Sequence, residues 1–190
     1  MLIALDIGNV CVQLQLEESA RLFGYELSAQ PEAFTNLTYQ YETGKIDTPE
    51  FLNKVSGLTG MSGAEVKHAW DVKVGREMPG MAEAVRDFSS KGIEFAFLSD
   101  IGGLHLTKFR RTVSFVHLVK GGIFSCEAGC CKPEKQIFQA FESTFGKPDL
   151  FFDDMERNIR GATEFGWRAV RFTGAELFRE TVNRYLAERL

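Results

Sequence analysis

The 190-residue chain is 44% hydrophobic and 25% charged, an ordinary balance for a globular protein with a core of its own. Its formal net charge of −4 argues against a nucleic-acid surface. Such a surface needs a clustered basic stripe, and Arg110-Arg111 with Lys132 and Lys135 are too few to make one. No apolar run reaches the roughly eighteen residues of a membrane span. Four cysteines, Cys11, Cys126, Cys130 and Cys131, suggest no disulfide framework in a chain this long, and the last three lack a fourth ligand for zinc. Reduced thiols in a cytoplasmic protein are expected.

The chain opens on Met1-Leu-Ile-Ala-Leu-Asp6-Ile-Gly8-Asn9-Val10. Residues 2–5 are apolar on both alternating faces and read as a buried parallel strand. With no basic flank and no small-residue cleavage site, they do not read as a signal peptide. The strand ends in Asp6, where open α/β sheets gather their chemistry.

Leu14, Leu16, Ala20, Leu22 and Phe23 suit an amphipathic helix ending at Gly24, and residues 31–41 suit a second with Phe34, Leu37, Thr38 and Tyr41 on one face. Asp47-Thr48-Pro49-Glu50 is a start signal for a third helix closing near Gly57: a capping residue, a proline in the first turn, and an acid at the positive end of the dipole. Ser62-Gly-Ala-Glu65 is a capping box opening a fourth with Val66, Ala69, Trp70 and Val72. Four helices and no strand make residues 14–77 a helical insertion.

From Pro79 strands and helices alternate. A helix over 81–90 leads to a strand over 93–98 ending in Ser99-Asp100. A helix over 104–111, a short strand at 123–124 and a helix over 133–145, with Pro133 in its first turn, come next. The strand 150–152 then ends in Asp153-Asp154, and a helix to 163, a strand over 168–172 and a helix over 175–190 complete the chain. Residues 114–121 carry no readable pattern. Such alternation predicts an α/β fold, a Rossmann-like parallel sheet with helices on both faces.

Three apolar strands thus deliver polar groups at the same end, and Lys132-Pro133 stands just ahead of a helix start. Carboxylates, a hydroxyl and a lysine converging from strand tips can hold a divalent cation and a phosphate together. Asp153-Asp154 also suit a helix N-cap and first-turn acid, and the two readings are compatible.

At these residues the chain resembles the haloacid dehalogenase (HAD) superfamily of phosphohydrolases. Asp6-Ile-Gly8-Asn9-Val10 matches its first motif, Ser99-Asp100 the second, Lys132-Pro133 the third, and Asp153-Asp154 with Asn158 the fourth. The opening and the Phe151 to Ala162 passage look most like the bacterial glucose-1-phosphatase-like branch. The resemblance implies a core domain of residues 1–13 and 78–190, with residues 14–77 as a small helical-bundle cap that closes over the site. Closing expels water and strengthens electrostatics at the phosphate. Tyr41, Glu42, Lys45 and His68 are the candidates for the leaving-group pocket.

The resemblance also implies Mg²⁺ held by Asp6, the Gly8 carbonyl and Asp154, with Asp153 close behind. Asn9, Ser99, Asp100 and Lys132 would bind the phosphate. Asp6 would attack phosphorus, forming an aspartyl-phosphate that water cleaves, and Lys132 would neutralise charge. The implied activity is hydrolysis of a small phosphorylated metabolite, with neither nucleic acid nor membrane as partner.

Two departures bear on this. The superfamily usually carries a second aspartate, the general acid, where this chain has Gly8. General acid–base catalysis supplies roughly 10²–10⁴-fold. An anomeric oxygen leaves more readily than an ordinary alkoxide, so sugar 1-phosphates are the expected substrates, unless a cap residue or a substrate hydroxyl replaces the acid. Asp100 stands where the branch more often has asparagine, and near a phosphate it needs a partner such as Lys132 or Arg160. The alternatives are a non-catalytic, phosphate-binding protein on this fold and a true haloacid dehalogenase, whose halide needs no acid. His68, His105 and His117 show no ligand or triad spacing and read as surface or helix-end residues.

Overall fold

Strand β1 (Leu2–Leu5) is buried at every residue because both its faces are covered. In a computed structural model, which describes residues 1–189, it is followed by β2 (Val12–Leu14), α1 (Leu16–Leu22), α2 (Glu32–Glu42), α3 (Thr48–Thr59), α4 (Gly63–Val72) and β3 (Val74–Glu77). The alternating part comprises α5 (Met81–Ser89), β4 (Glu94–Ser99), α6 (Gly103–Thr112), β5 (Gly122–Phe124), α7 (Ser125–Ala128), α8 (Lys135–Phe145), β6 (Leu150–Asp153), α9 (Glu156–Glu164), β7 (Ala169–Arg171) and α10 (Ala175–Ala187). Leu190, assigned to the last helix from sequence, lies outside the described residues.

Five strands form one parallel sheet in the order β5-β4-β1-β6-β7. The expected α/β fold with helices on both faces is the one observed. Ile3, Leu5, Phe95, Phe97 and Phe152 pack on one face against residues of α5, α6 and α10, such as Phe88, Phe109 and Phe178. Leu2, Ala4, Ala96, Leu98 and Phe151 pack on the other against Ile137, Phe138, Phe141 and Trp167. Each fully buried Phe contributes about 1.5–3 kcal/mol, so the apolar runs legible in the sequence are what hold the strand tips in line.

Helices α1–α4 enclose a third cluster around Phe34, Tyr41, Phe51, Val55, Val66 and Trp70. Asp47 caps α3 by accepting from the Glu50 N–H at 2.8 Å. Ser62 and Glu65 form the reciprocal capping box of α4. Helix α3 runs past Gly57 to Thr59 and ends on Gly60 at φ 74°, the left-handed conformation that glycine adopts without penalty.

Three sequence expectations are corrected, and one unassigned stretch gains structure. Residues 14–77 are not free of strand: β2 and β3 pair antiparallel, Val12 against Glu77 and Leu14 against Val74. Helix α8 begins at Lys135, because Pro133 and Glu134 form a turn in which the Glu134 N–H donates to the Cys131 carbonyl at 2.8 Å. The unreadable stretch holds a 3₁₀ turn at Val116–Leu118.

His105, finally, is not a surface residue. It is buried and stacks on Trp70 at a centroid distance of 4.6 Å, with Nε2 2.8 Å from the Trp70 carbonyl. Burial, with Lys73 and Lys108 nearby, pushes its pKa down to about 3, so the folded protein holds it neutral. The unfolded chain takes up the proton below about 6.5, so stability is lost as pH falls from there toward 3, by about 1.4 kcal/mol per pH unit. His105→Phe keeps a ring against Trp70 but loses the hydrogen bond, which costs about 0.5–1.5 kcal/mol at neutral pH. Urea midpoints from pH 7 to 4 should show a smaller acid-induced loss in this variant than in the parent.

Candidate active site

The sheet grows from β1 in both directions, toward β4 and β5 on one side and β6 and β7 on the other. A crevice therefore opens at the carboxyl end of β1, at the point where strand order reverses. Asp6 stands there, and its N–H donates to the Phe152 carbonyl at 2.9 Å. The chain then turns tightly: the Ile7 carbonyl accepts from Cys11 at 2.8 Å and Val12 at 3.0 Å.

Asn9 adopts φ 52°, a left-handed conformation that asparagine tolerates better than most residues. Its amide donates to Asp154 Oδ2 at 2.9 Å, and its Oδ1 accepts from the Leu14 N–H at 3.0 Å. Asn9 is thereby turned to the task of holding Asp154 and the first loop.

Lys132 is the hub. Its Nζ lies 2.7 Å from Asp6 Oδ1, 2.6 Å from Asp153 Oδ2 and 3.1 Å from the Leu98 carbonyl, which uses all three of its donors. Its backbone N–H donates to Asp100 Oδ1 at 2.8 Å, so the unusual aspartate after Ser99 does find a partner. Asp153 is fully enclosed: Oδ1 accepts from Met155 N at 2.8 Å and from Asn158 Nδ2 at 3.0 Å, and Oδ2 accepts from Lys132 and again from Asn158. One carboxylate oxygen from each of Asp6, Asp153 and Asp154 lies within 4.8 Å of the others.

The charges do not balance. Asp6, Asp100, Asp153 and Asp154 surround Lys132, the one buried cation among the described residues. Burial pushes the Asp6 pKa up to about 7, with Lys132 opposing and Asp153 adding to the rise. Burial likewise raises Asp154 against the Asn9 hydrogen bond, and Asp100 against Lys132. Burial opposes the Lys132 charge too, yet Asp6, Asp153 and Asp100 together raise its pKa. An all-oxygen donor set with surplus negative charge fits a hard divalent cation such as Mg²⁺.

Above these groups lies a cavity of about 310 Å³ lined by Asp6, Gly8, Asn9, Ser99, Asp100, Lys132 and Asp154, with Glu42 and Lys73 from the helical segment and Arg157 from α9. Asp153 sits behind Lys132. Of the four helical-segment candidates, Glu42 alone lines this cavity. Tyr41 is buried, its hydroxyl accepting from the Leu104 N–H at 2.8 Å and paired with Thr48 at 2.9 Å. Lys45 lies over the Tyr39 ring, and His68 lines a separate surface groove.

Lys73 and Arg157 escaped the sequence reading. Arg157 immediately precedes Asn158 inside the fourth motif, so a signal existed. Lys73 is set by its carbonyl accepting from the Gln15 N–H at 2.9 Å, a long-range contact that no local pattern announces. The four cysteines are free. No helix among the described residues is long and apolar enough to cross a membrane.

No protein-family model and no curated protein matches the chain. Solved structures do. The HAD family enzyme bt-2542 of Bacteroides thetaiotaomicron, in its magnesium complex, aligns with TM-score 0.80 and 22% identity over 93% of this chain and 97% of its own. Its complex with magnesium and inorganic phosphate gives 0.78 and 21% over 94% and 98%. A predicted HAD-like family hydrolase from Porphyromonas gingivalis gives 0.80 and 20% over 97% of each chain. L-2-haloacid dehalogenase from Xanthobacter autotrophicus is more distant, at 0.62 and 15% over 96% and 82%. The chain therefore has the HAD-like α/β fold, and the proteins that share it here are HAD-family enzymes.

Proposed function

We propose that the chain is a magnesium-dependent phosphomonoester hydrolase of the HAD type that acts on a small phosphorylated metabolite through an aspartyl-phosphate. The observation that carries the reading is the placement of Asp6. Its carboxylate is held at 2.7 Å by a buried lysine, in a cavity also lined by Asp154 and Ser99. The same fold in bt-2542 binds magnesium and inorganic phosphate, which supports the choice of ligands.

In this reading Asp6, the Gly8 carbonyl and Asp154 hold the metal. Asp153 fixes Lys132 and Asn158, and Asn9 steadies Asp154. When bound, Mg²⁺ neutralises the phosphoryl oxygens and offsets the excess carboxylate charge. Ser99 binds the phosphate, Lys132 lends it positive charge and aims one Asp6 oxygen, and that oxygen attacks phosphorus as the ester bond breaks. Residues 14–77 form the cap that shapes the leaving-group pocket over the core of residues 1–13 and 78–190. With Gly8 unable to donate a proton, the preferred substrates are esters with good leaving groups, sugar 1-phosphates among them.

Phosphate release from glucose 1-phosphate, glucose 6-phosphate and p-nitrophenyl phosphate tests this. EDTA should abolish release and Mg²⁺ restore it, with the 1-phosphate cleaved faster than the 6-phosphate. Fastest cleavage of the 6-phosphate would overturn the substrate preference. Chloride release from 2-chloropropionate that survives EDTA would instead make the protein a dehalogenase.

A further inference from the structure

We infer that Glu42 is the catalytic base that the first motif lacks, taking the proton from the water that cleaves the aspartyl-phosphate. The inference rests on the hydrolase reading above and adds a residue to it. Glu42 is the last residue of α2, and it lines the same cavity as Asp6, Lys132 and Asp154. No carboxylate can project from position 8, so among the described residues Glu42 is the acidic group that the helical segment supplies to this cavity.

Its placement is built from three sides. The Glu42 carbonyl accepts from the buried Ser125 hydroxyl, which in turn accepts from the Ile101 N–H at 2.8 Å, in the loop that follows Ser99 at the end of β4. Two residues on, Gly44 lies so close to α7 that a Cβ there would stand 2.3 Å from the Cys126 carbonyl oxygen. On the other side, Lys73 Nζ lies 3.5 Å from Glu42 Oε1 and gives the carboxylate a direction. The remaining titratable groups near it are Asp100, Cys126 and Cys131. A backbone fixed this firmly to the phosphate loop, and a side chain only 18% exposed, suit a group that must meet a reacting water within hydrogen-bond reach.

The step balances. Water gives one proton to the Glu42 carboxylate while its oxygen bonds to phosphorus. The bond between phosphorus and the Asp6 oxygen breaks, returning the Asp6 carboxylate and inorganic phosphate. The proton then leaves Glu42 to solvent.

The test is pre-steady-state hydrolysis of p-nitrophenyl phosphate with Mg²⁺. Glu42→Gln keeps the nucleophile but not the base. It should release one p-nitrophenol per active site in a burst and then turn over about 10²–10⁴-fold more slowly than the parent, with phosphoryl-enzyme recovered after acid quench. Glu42→Asp should recover part of the rate. In the Glu42→Gln background, Gly8→Asp should remove the burst. The nearest atoms to the Cβ it adds belong to the flexible Leu14 side chain, whose Cδ1 is 2.9 Å away, and it places a carboxyl two residues from the nucleophile. A Glu42→Gln protein with normal thermal unfolding but no burst, slowed equally in both half-reactions or not at all, overturns the inference and leaves the hydrolase reading standing. A parent protein that releases no p-nitrophenol overturns the hydrolase reading itself.

Discussion

Asp6→Asn is expected to lose at least about 10⁴-fold of phosphate release, because an amide cannot form the phosphoryl bond on which both half-reactions depend. The same substitution should stabilise the metal-free protein. Burial pushes the Asp6 pKa up to about 7, so between pH 4 and 7 the folded chain binds a proton that the unfolded chain has released. Stability on this account is therefore full below pH 4 and is lost as pH rises through 7. Three pH units correspond to roughly 4 kcal/mol as an upper bound. An amide carries no such charge, and Lys132 keeps Asp153 and the Leu98 carbonyl as partners. In EDTA at pH 8, Asp6→Asn should unfold at higher urea than the parent, by on the order of 2–4 kcal/mol, and the difference should vanish near pH 4. A variant that still turns over, or one less stable than the parent at pH 8, would contradict the placement of Asp6.

The pattern of what was legible follows from the same physics. β1, β4 and β6 are covered on both faces, so each reads as an unbroken apolar run, and the polar residue that ends it marks the strand tip. This is why Asp6, Ser99, Asp100, Asp153 and Asp154 could be named before any fold was known. Lys132 was legible only through its motif, since nothing local says that its ammonium will reach Asp6 and Asp153.

β2 and β3 were hidden. Val12-Gln13-Leu14 and Val74-Gly75-Arg76-Glu77 are too short to show a period, and their pairing joins residues about sixty positions apart. The same distance hid Lys73. His105 was misread because its own polarity hid the burial that Leu106 and Phe109 on the same helix share. The ring is buried by Trp70 of α4, a partner whose position only the packed fold defines.

Lys132→Met should produce the largest loss of stability of any single change at the site. It leaves Asp6 and Asp153, 6% and 0% exposed, facing each other with no cation between them. Breaking a buried pair from one side costs about 3–5 kcal/mol, because the remaining charge stays in the interior without compensation. Without the lysine that opposes the effect of burial, Asp6 keeps its proton to higher pH, which relieves the repulsion. The deficit should therefore be greatest at pH 8 and shrink toward pH 5. Phosphate release should fall by at least about 10²–10³-fold, the effect of losing one preorganised donor to a developing anion.

Lys132→Arg keeps the charge, but a planar fork cannot direct three donors at Asp6, Asp153 and the Leu98 carbonyl, so it should recover stability more fully than activity. Combining Lys132→Met with Asp6→Asn removes one of the two orphaned carboxylates. The double variant should be more stable at pH 8 than Lys132→Met alone, with a coupling of about 0.5–3 kcal/mol in a double-mutant cycle. Urea unfolding of the four proteins at pH 5 and pH 8 decides the matter. If Lys132→Met matches the parent at pH 8, the lysine is not the counter-charge that keeps the nucleophile ionised, and another cation must do so.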